Sequence, residues 1–276
     1  MVSNQPRATV TVPDGVDIDP YIAQLKNGDI LSLAVNGTYT LGGAVNGMVG
    51  LPNGYANQWT TVEGNNATIT EGATGIYLTN KHYIKFKNLN LTHQTTIDAW
   101  FIGCSHIDAD NLDIVNDNGT AALDATRFDE CSDFTWANCA VHDCDVNHAS
   151  FDGFEIFNNC QDMTFINCEV DTIVGHIAPE HHGFEVYAEA AAAGGVASEN
   201  IRFNGCSASV VDTGFSCDGG PDSLAHVDVI CDGCSGFNNT DYGYEGINGA
   251  TLRRHVGAGI NTGNGTAETF GNVTDY

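Results

Sequence analysis

The chain has 276 residues, enough for one large domain or two ordinary ones, with ample material for a core. Nine lysines and arginines stand against 35 aspartates and glutamates, and the formal charge of −26 argues against nucleic acid or anionic membrane as a partner. No stretch approaches the roughly 18 consecutive apolar residues of a membrane-spanning helix, so membrane insertion is not expected.

The N-terminal stretch "MVSNQPRATVTVPDG" lacks a charged-then-apolar signal pattern. Thirty-two glycines, abundant Asn and Asp and only six prolines predict a turn-rich, all-β protein. Ten cysteines are too sparse for a small disulfide scaffold, and "CDGC" at 231–234 stands alone, so a structural zinc is not expected.

Along the chain, short β-branched or aromatic segments end in Asn or Gly followed by an apolar residue or Cys. They are "IKFKNL" to Leu89, "IDADNL" to Leu112, "FTWANC" to Cys139, "MTFINC" to Cys168, "IRFNGC" to Cys206 and "VICDGC" to Cys234. The steps are 23, 27, 29, 38 and 28 residues, and the long one contains "AEAAAAGGVASEN", 188–200, which reads as an inserted loop. Cys104, Cys131 and Cys160 form a second column, and Phe154, Phe184, Phe215 and Tyr244 a third. No helical period lies between the segments. The spacing predicts a solenoid of β-coils, each unable to bury its apolar face except against its neighbours. Stacking turns repeated residues into ladders, and the cysteines are expected to be buried thiols.

With that repeat, and with "VDIDPYIAQLKNGDILSLAVNGTYTL" at 16–41 as an opening helical turn and first strand, the sequence resembles the right-handed parallel β-helix proteins of the pectate lyase-like superfamily. The resemblance implies an all-β, right-handed parallel β-helix of about eight or nine coils. It would form a single domain over 1–276, with an N-terminal cap and first coil at 10–45 and a C-terminal tail or cap at 255–276.

Strand alternation assigns faces. If the third column points inward, then Glu155, Glu185, Ser216 and Glu245 face solvent in one column, with Asp152, His182, Thr213 and Tyr242 on the preceding turns. Phe101, Phe128, Phe157, Tyr187 and Asp218 make another outward column, a platform on which sugar rings could stack, with Phe128, Phe157 and Tyr187 as substrate-binding residues. Arg127, placed inward by the same alternation, could neutralise a substrate carboxylate. Five of the ten histidines fall between 142 and 182, a density that turn propensity does not explain.

Three chemistries suit this patch. Asp152 and Glu185 with neighbouring oxygens could hold Ca²⁺; His148, His176, His181 or His182 as ligands would make a transition metal more natural. Alternatively Glu155 and Glu185, one coil apart at about 5 Å, approach the separation of a retaining glycosidase pair, one pKa being pushed up by the other. "DGFEIF", "HHGFEVY" and "GFSCDGG" are similar to the core of family 9 pectate lyases. That resemblance implies a Ca²⁺ site, with Asp152 on its first ligand, His181 and His182 on paired aspartates and Glu185 on the last. Ser216 falls where the family's catalytic lysine stands, leaving that position unmatched.

The expected function is binding and cleavage of a polysaccharide by a lyase, hydrolase or epimerase. Glu155, Glu185, His181 and Asp218 are the candidate catalytic residues. Asp152, His182, Glu185, His148 and His176 are the candidate metal ligands. The alternative is a non-catalytic viral tailspike, capsid spike or adhesin that recognises surface glycans. A monomer would accompany the enzyme and a trimer the spike, and either would be extracellular or virion-associated.

Overall fold

The structure is a computed structural model that describes residues 7–40, 47–70, 74–92, 96–116, 124–146, 151–175, 181–255, 264, 267–271 and 273–275. Parallel strands wind into a right-handed parallel β-helix. One coil shows the plan. Phe154–Phe157 lies in an eight-stranded sheet, Gln161–Ile166 in the central path of a sixteen-stranded sheet, and Glu169–Gly175 on a side branch of that larger sheet. The chain then returns to the small sheet at His182–Tyr187.

The corner between the two arms of the larger sheet explains the repeated segments. Asn88, Asn111, Asn138, Asn167, Gly205 and Gly233 all have positive φ, a conformation that Gly and Asn adopt most easily. The bend delivers the next residue, Leu89, Leu112, Cys139, Cys168, Cys206 or Cys234, into the core. All ten cysteines are free and buried, as expected of a thiol ladder.

Phe154, Phe184, Phe215 and Tyr244 stack inside with nearly parallel rings, centroids 5.0, 4.9 and 5.3 Å apart. Each fully buried ring contributes about 1.5–3 kcal/mol. At the N-terminal end a one-turn helix, Asp19–Ile22, places Ile18 and Ile22 against the first coils.

Phe128 corrects the alternation argument. It is paired with Ile156, not Phe157, and is fully buried, stacked on Phe101 with centroids 5.5 Å apart. Phe101 is likewise in the core. The turn before Cys160 holds two positive-φ residues, Asn158 and Asn159, where the turn before Cys131 holds only Glu130. That extra residue shifts the count back from the cysteine by one. It also moves Arg127, expected inside, to the outer face opposite Glu155.

Candidate functional site

The outer face of the small sheet carries the candidate groups in two columns. The first, set by strand register, runs Trp100, Arg127, Glu155, Glu185, Ser216 and Glu245. The second lies three residues earlier, where the chain enters each strand: Asp124, Asp152, His182, Thr213 and Tyr242. A Cβ on Gly153 would lie 2.7 Å from the Gly183 carbonyl and from Val170, and one on Gly183 2.6 Å from Ala208. The glycine therefore lets each loop close tightly on the coil and set Asp152 and His182 at the strand mouth. In this way the Gly-aromatic beat positions the polar groups.

The column expected in solvent is outward but largely enclosed: Glu155 and Glu185 are 6% exposed, Ser216 2% and Glu245 8%. Burial of so many carboxyls requires partners or protons. His182 supplies one partner. Its backbone N–H and its Nδ1–H both donate to Asp152 Oδ1 at 2.9 Å, and Nδ1 lies 3.5 Å from Glu185 Oε1. Arg127 supplies the other, 2.8 Å from Glu155 and 3.6 Å from Asp124, with its Nε on Asp129 at 3.2 Å.

Two carboxyl pairs result, one coil apart: Asp124 with Glu155, and Asp152 with Glu185. Burial pushes Glu185 well above the usual carboxylate range, the Asp152 charge adds to this, and His182 opposes it. Burial and then Asp124 raise Glu155 likewise, against the pull of Arg127. Burial and the Asp152 charge lift Asp124 to about 7. Asp152 moves the other way: burial works to raise it, but the charge and hydrogen bonds of His182 and the bond from Glu185 hold it below its ordinary value. Burial disfavours the imidazolium of His182, yet Glu185 and Asp152 together raise it to about 10. The arrangement sets a carboxyl whose protonated form burial favours beside an aspartate–imidazolium pair.

Two clefts open over this network. One, of about 310 Å³, is lined by Arg127, Glu155, Phe157, His182, Glu185, Tyr187, Glu189 and Asp218. The other, of about 410 Å³, is lined by His182, Glu185, Asp212, Thr213, Asp218, Asp241, Tyr242, Glu245, Ile247 and Asn248. They share His182, Glu185 and Asp218, so a chain lying along the coils would cross those three groups. Phe157 and Tyr187 stack at 5.6 Å in the first cleft, and the Arg127 guanidinium sits over Phe157 at 3.8 Å. Asp218 accepts hydrogen bonds at 2.7 Å from the Gly220 amide and the Asn248 amide group.

His181 is turned to a different partner. Its backbone N–H and Nδ1 both meet Asp212, at 3.0 and 3.1 Å, and that hydrogen bonding lowers the Asp212 pKa. It does not join Asp152, His182 and Glu185, whose possible ligand atoms lie within 4.8 Å of one another. His148 and His176 lie outside the described residues. The sequence reading missed Asp124 and Asp212. Asp124 stands three residues before Arg127, as Asp152 stands before Glu155, but "DATRF" lacks the glycine that marked the other coils. Asp212 directly precedes "TGFS", and only the structure shows that it receives His181.

No protein-family model matches this chain, and no curated protein matches it in sequence. Solved structures do match in shape. The alginate lyase from Paenibacillus sp. str. FPU-7 has a TM-score of 0.62 at 12% identity, over 97% of this chain and 99% of that one. The endo-xylogalacturonan hydrolase from Aspergillus tubingensis gives 0.61 at 12%, over 97% and 93%. Pectate lyase Pel9A gives 0.51 at 15%, over 98% and 79%. The shared feature is the fold. This chain has a right-handed parallel β-helix.

Proposed function

We propose that this β-helix binds a polysaccharide along the outer face of its small sheet and hydrolyses a glycosidic bond over Glu185 and Asp218. The observation that carries the reading is the meeting of two clefts at a buried carboxyl, whose pKa burial pushes up, beside an oriented carboxylate. A buried carboxyl whose pKa is pushed up suits a general acid, and a solvent-reachable carboxylate held by two hydrogen bonds suits a base. Glu185 donates its proton to the leaving glycosidic oxygen, and Asp218 takes a proton from the attacking water. Asp152 orients His182, whose positive charge offsets the Asp152 charge without removing the Glu185 proton. The acidic walls favour the positive charge that develops on the sugar ring. Tyr187, half-buried and backed by Phe157, provides a stacking surface for a sugar face, while Phe157 itself is covered by Arg127.

The same walls disfavour a free polyuronate: among the described residues Arg127 is the sole Lys or Arg lining the two clefts, and three carboxyl groups already surround it. Ser216 stands where a family 9 lyase would carry its base, so the substrate class favoured is an uncharged polysaccharide. Calcium does not fit the donor set. Two carboxylates and an imidazole fall short of six to eight hard oxygens, and the inner imidazole nitrogen is already donating to Asp152. Chelator treatment is expected to leave activity unchanged.

The experiment is release of new reducing ends from a panel of neutral and uronate polysaccharides, wild type beside Glu185→Gln. Cleavage of a neutral polymer, lost in the variant, supports the reading. Unsaturated products from a uronate polymer would replace hydrolysis with a lyase reaction.

A further inference from the structure

We propose a second saccharide-binding site, for an anionic chain, on the outer face of the larger sheet near its N-terminal end. A cleft of about 550 Å³ there is lined by Arg7, Lys85 and Lys87 with Trp59, several amide and hydroxyl side chains and a single acid, Glu63. The chain has nine Lys and Arg in all, so a third of them converge on one cleft of a protein of charge −26. This is the reverse of the acid-lined clefts on the other sheet, and a locally positive surface on an acidic molecule selects an anion.

The aromatic groups run beside the cations. Trp59 meets Tyr83 edge-on at 5.8 Å, and Tyr83 meets His106 at 4.4 Å. Their neighbours' register places one on each successive coil, so they form a rail along the solenoid axis. Lys85 Nζ lies 5.2 Å from the Trp59 ring centre.

Residue type sets the rail apart on its ladder. The same ladder position is filled in later coils by Asp133, Asp162, Asn200 and Asp228, all at positive φ, where short polar side chains are tolerated. Tyr83 and His106 hold that conformation at 58° and 54° with bulky rings. Both are half-exposed, so the core does not demand them. Rings kept where short polar side chains are easier, beside a cationic cleft, fit a surface that meets a ligand. Lys85 and Lys87 rest on Asp108 at 2.8 Å and Glu63 at 3.2 Å, both half-exposed pairs. Such pairs are weak enough to be exchanged for a ligand's carboxylate or sulfate.

Affinity electrophoresis of the intact protein tests this, in gels containing polygalacturonate, dextran sulfate or neutral dextran. Polygalacturonate or dextran sulfate is expected to retard the wild type, which of them identifying the anionic group, while dextran does not. Trp59→Ala and the double variant Lys85→Gln/Lys87→Gln should each raise the apparent Kd by about tenfold or more, and added salt should weaken binding. Thermal melting verifies that the variants are folded, and Glu185→Gln should bind like the wild type. Three results would overturn the proposal: no retardation by either polyanion, equal retardation of the wild type and both variants, or loss of binding in Glu185→Gln.

Discussion

Glu185 and Asp124 show how burial turns similar carboxyls to different ends. Glu185→Gln keeps the shape and removes the transferable proton, so kcat should fall by about 10²–10⁴-fold with little change in KM. Activity of the wild type should decline at alkaline pH as Glu185 gives up the proton that burial holds on it. His182 in the variant should titrate below about 10, because Glu185 is the leading charge that raises it, a change nuclear magnetic resonance can follow. Asp124, raised to about 7, keeps its proton in the folded chain after the unfolded chain has lost it near 3.8. Its contribution to stability is therefore full at low pH and lost as pH rises through about 7. Asp124→Asn should flatten that fall, by up to a few kcal/mol, in melting curves between acid and mild alkali. His182 acts over a later window. The stability its imidazolium contributes is full below 6.5 and fades as pH approaches about 10.

At the scale of the strand and its turns, much of the pattern was legible. The Asn or Gly before each core Cys or Leu is the visible trace of a left-handed corner, and the aromatic column is the trace of a stack. What sequence spacing could not reveal was the single added residue in the Asn158–Asn159 turn, which reversed Phe128 and Arg127 between faces. Two substitutions separate structural from substrate roles. Phe128→Ala should cost about 3–5 kcal/mol of stability, read by urea unfolding, whereas a residue of the sugar platform would change KM instead. Gly183→Ala places a methyl 2.6 Å from Ala208 and 2.7 Å from the Gly214 carbonyl, so it should lower both stability and activity by displacing His182. Opposing charges were the least legible feature, because the pairing of Asp152 with His182 joins residues thirty apart in sequence.

Across the whole molecule, the solenoid constrains residue class more than residue identity. Any β-branched or aromatic side chain fills an inward position, and any Asn or Gly makes a corner, so coils can diverge while the shape persists. That accounts for TM-scores of 0.62 and 0.61 at only 12% identity. It also explains why the architecture could be read from the period while the chemistry could not: function rests on a few outward groups whose burial depends on loops between coils. The clefts on the two sheets differ in charge: those on the small sheet are acidic, whereas the N-terminal cleft of the larger sheet is cationic and aromatic. The proposed cleavage of a neutral polymer should lose little rate in salt, whereas the proposed binding at the cationic cleft should be salt-sensitive.

The most direct measurement is product analysis by mass spectrometry after incubating wild type and Glu185→Gln with neutral and uronate polysaccharides. The expected result is saturated oligosaccharides from a neutral polymer with wild type and none with the variant. Equal products from both proteins, or no products from any neutral polymer, would contradict hydrolysis over Glu185 and Asp218.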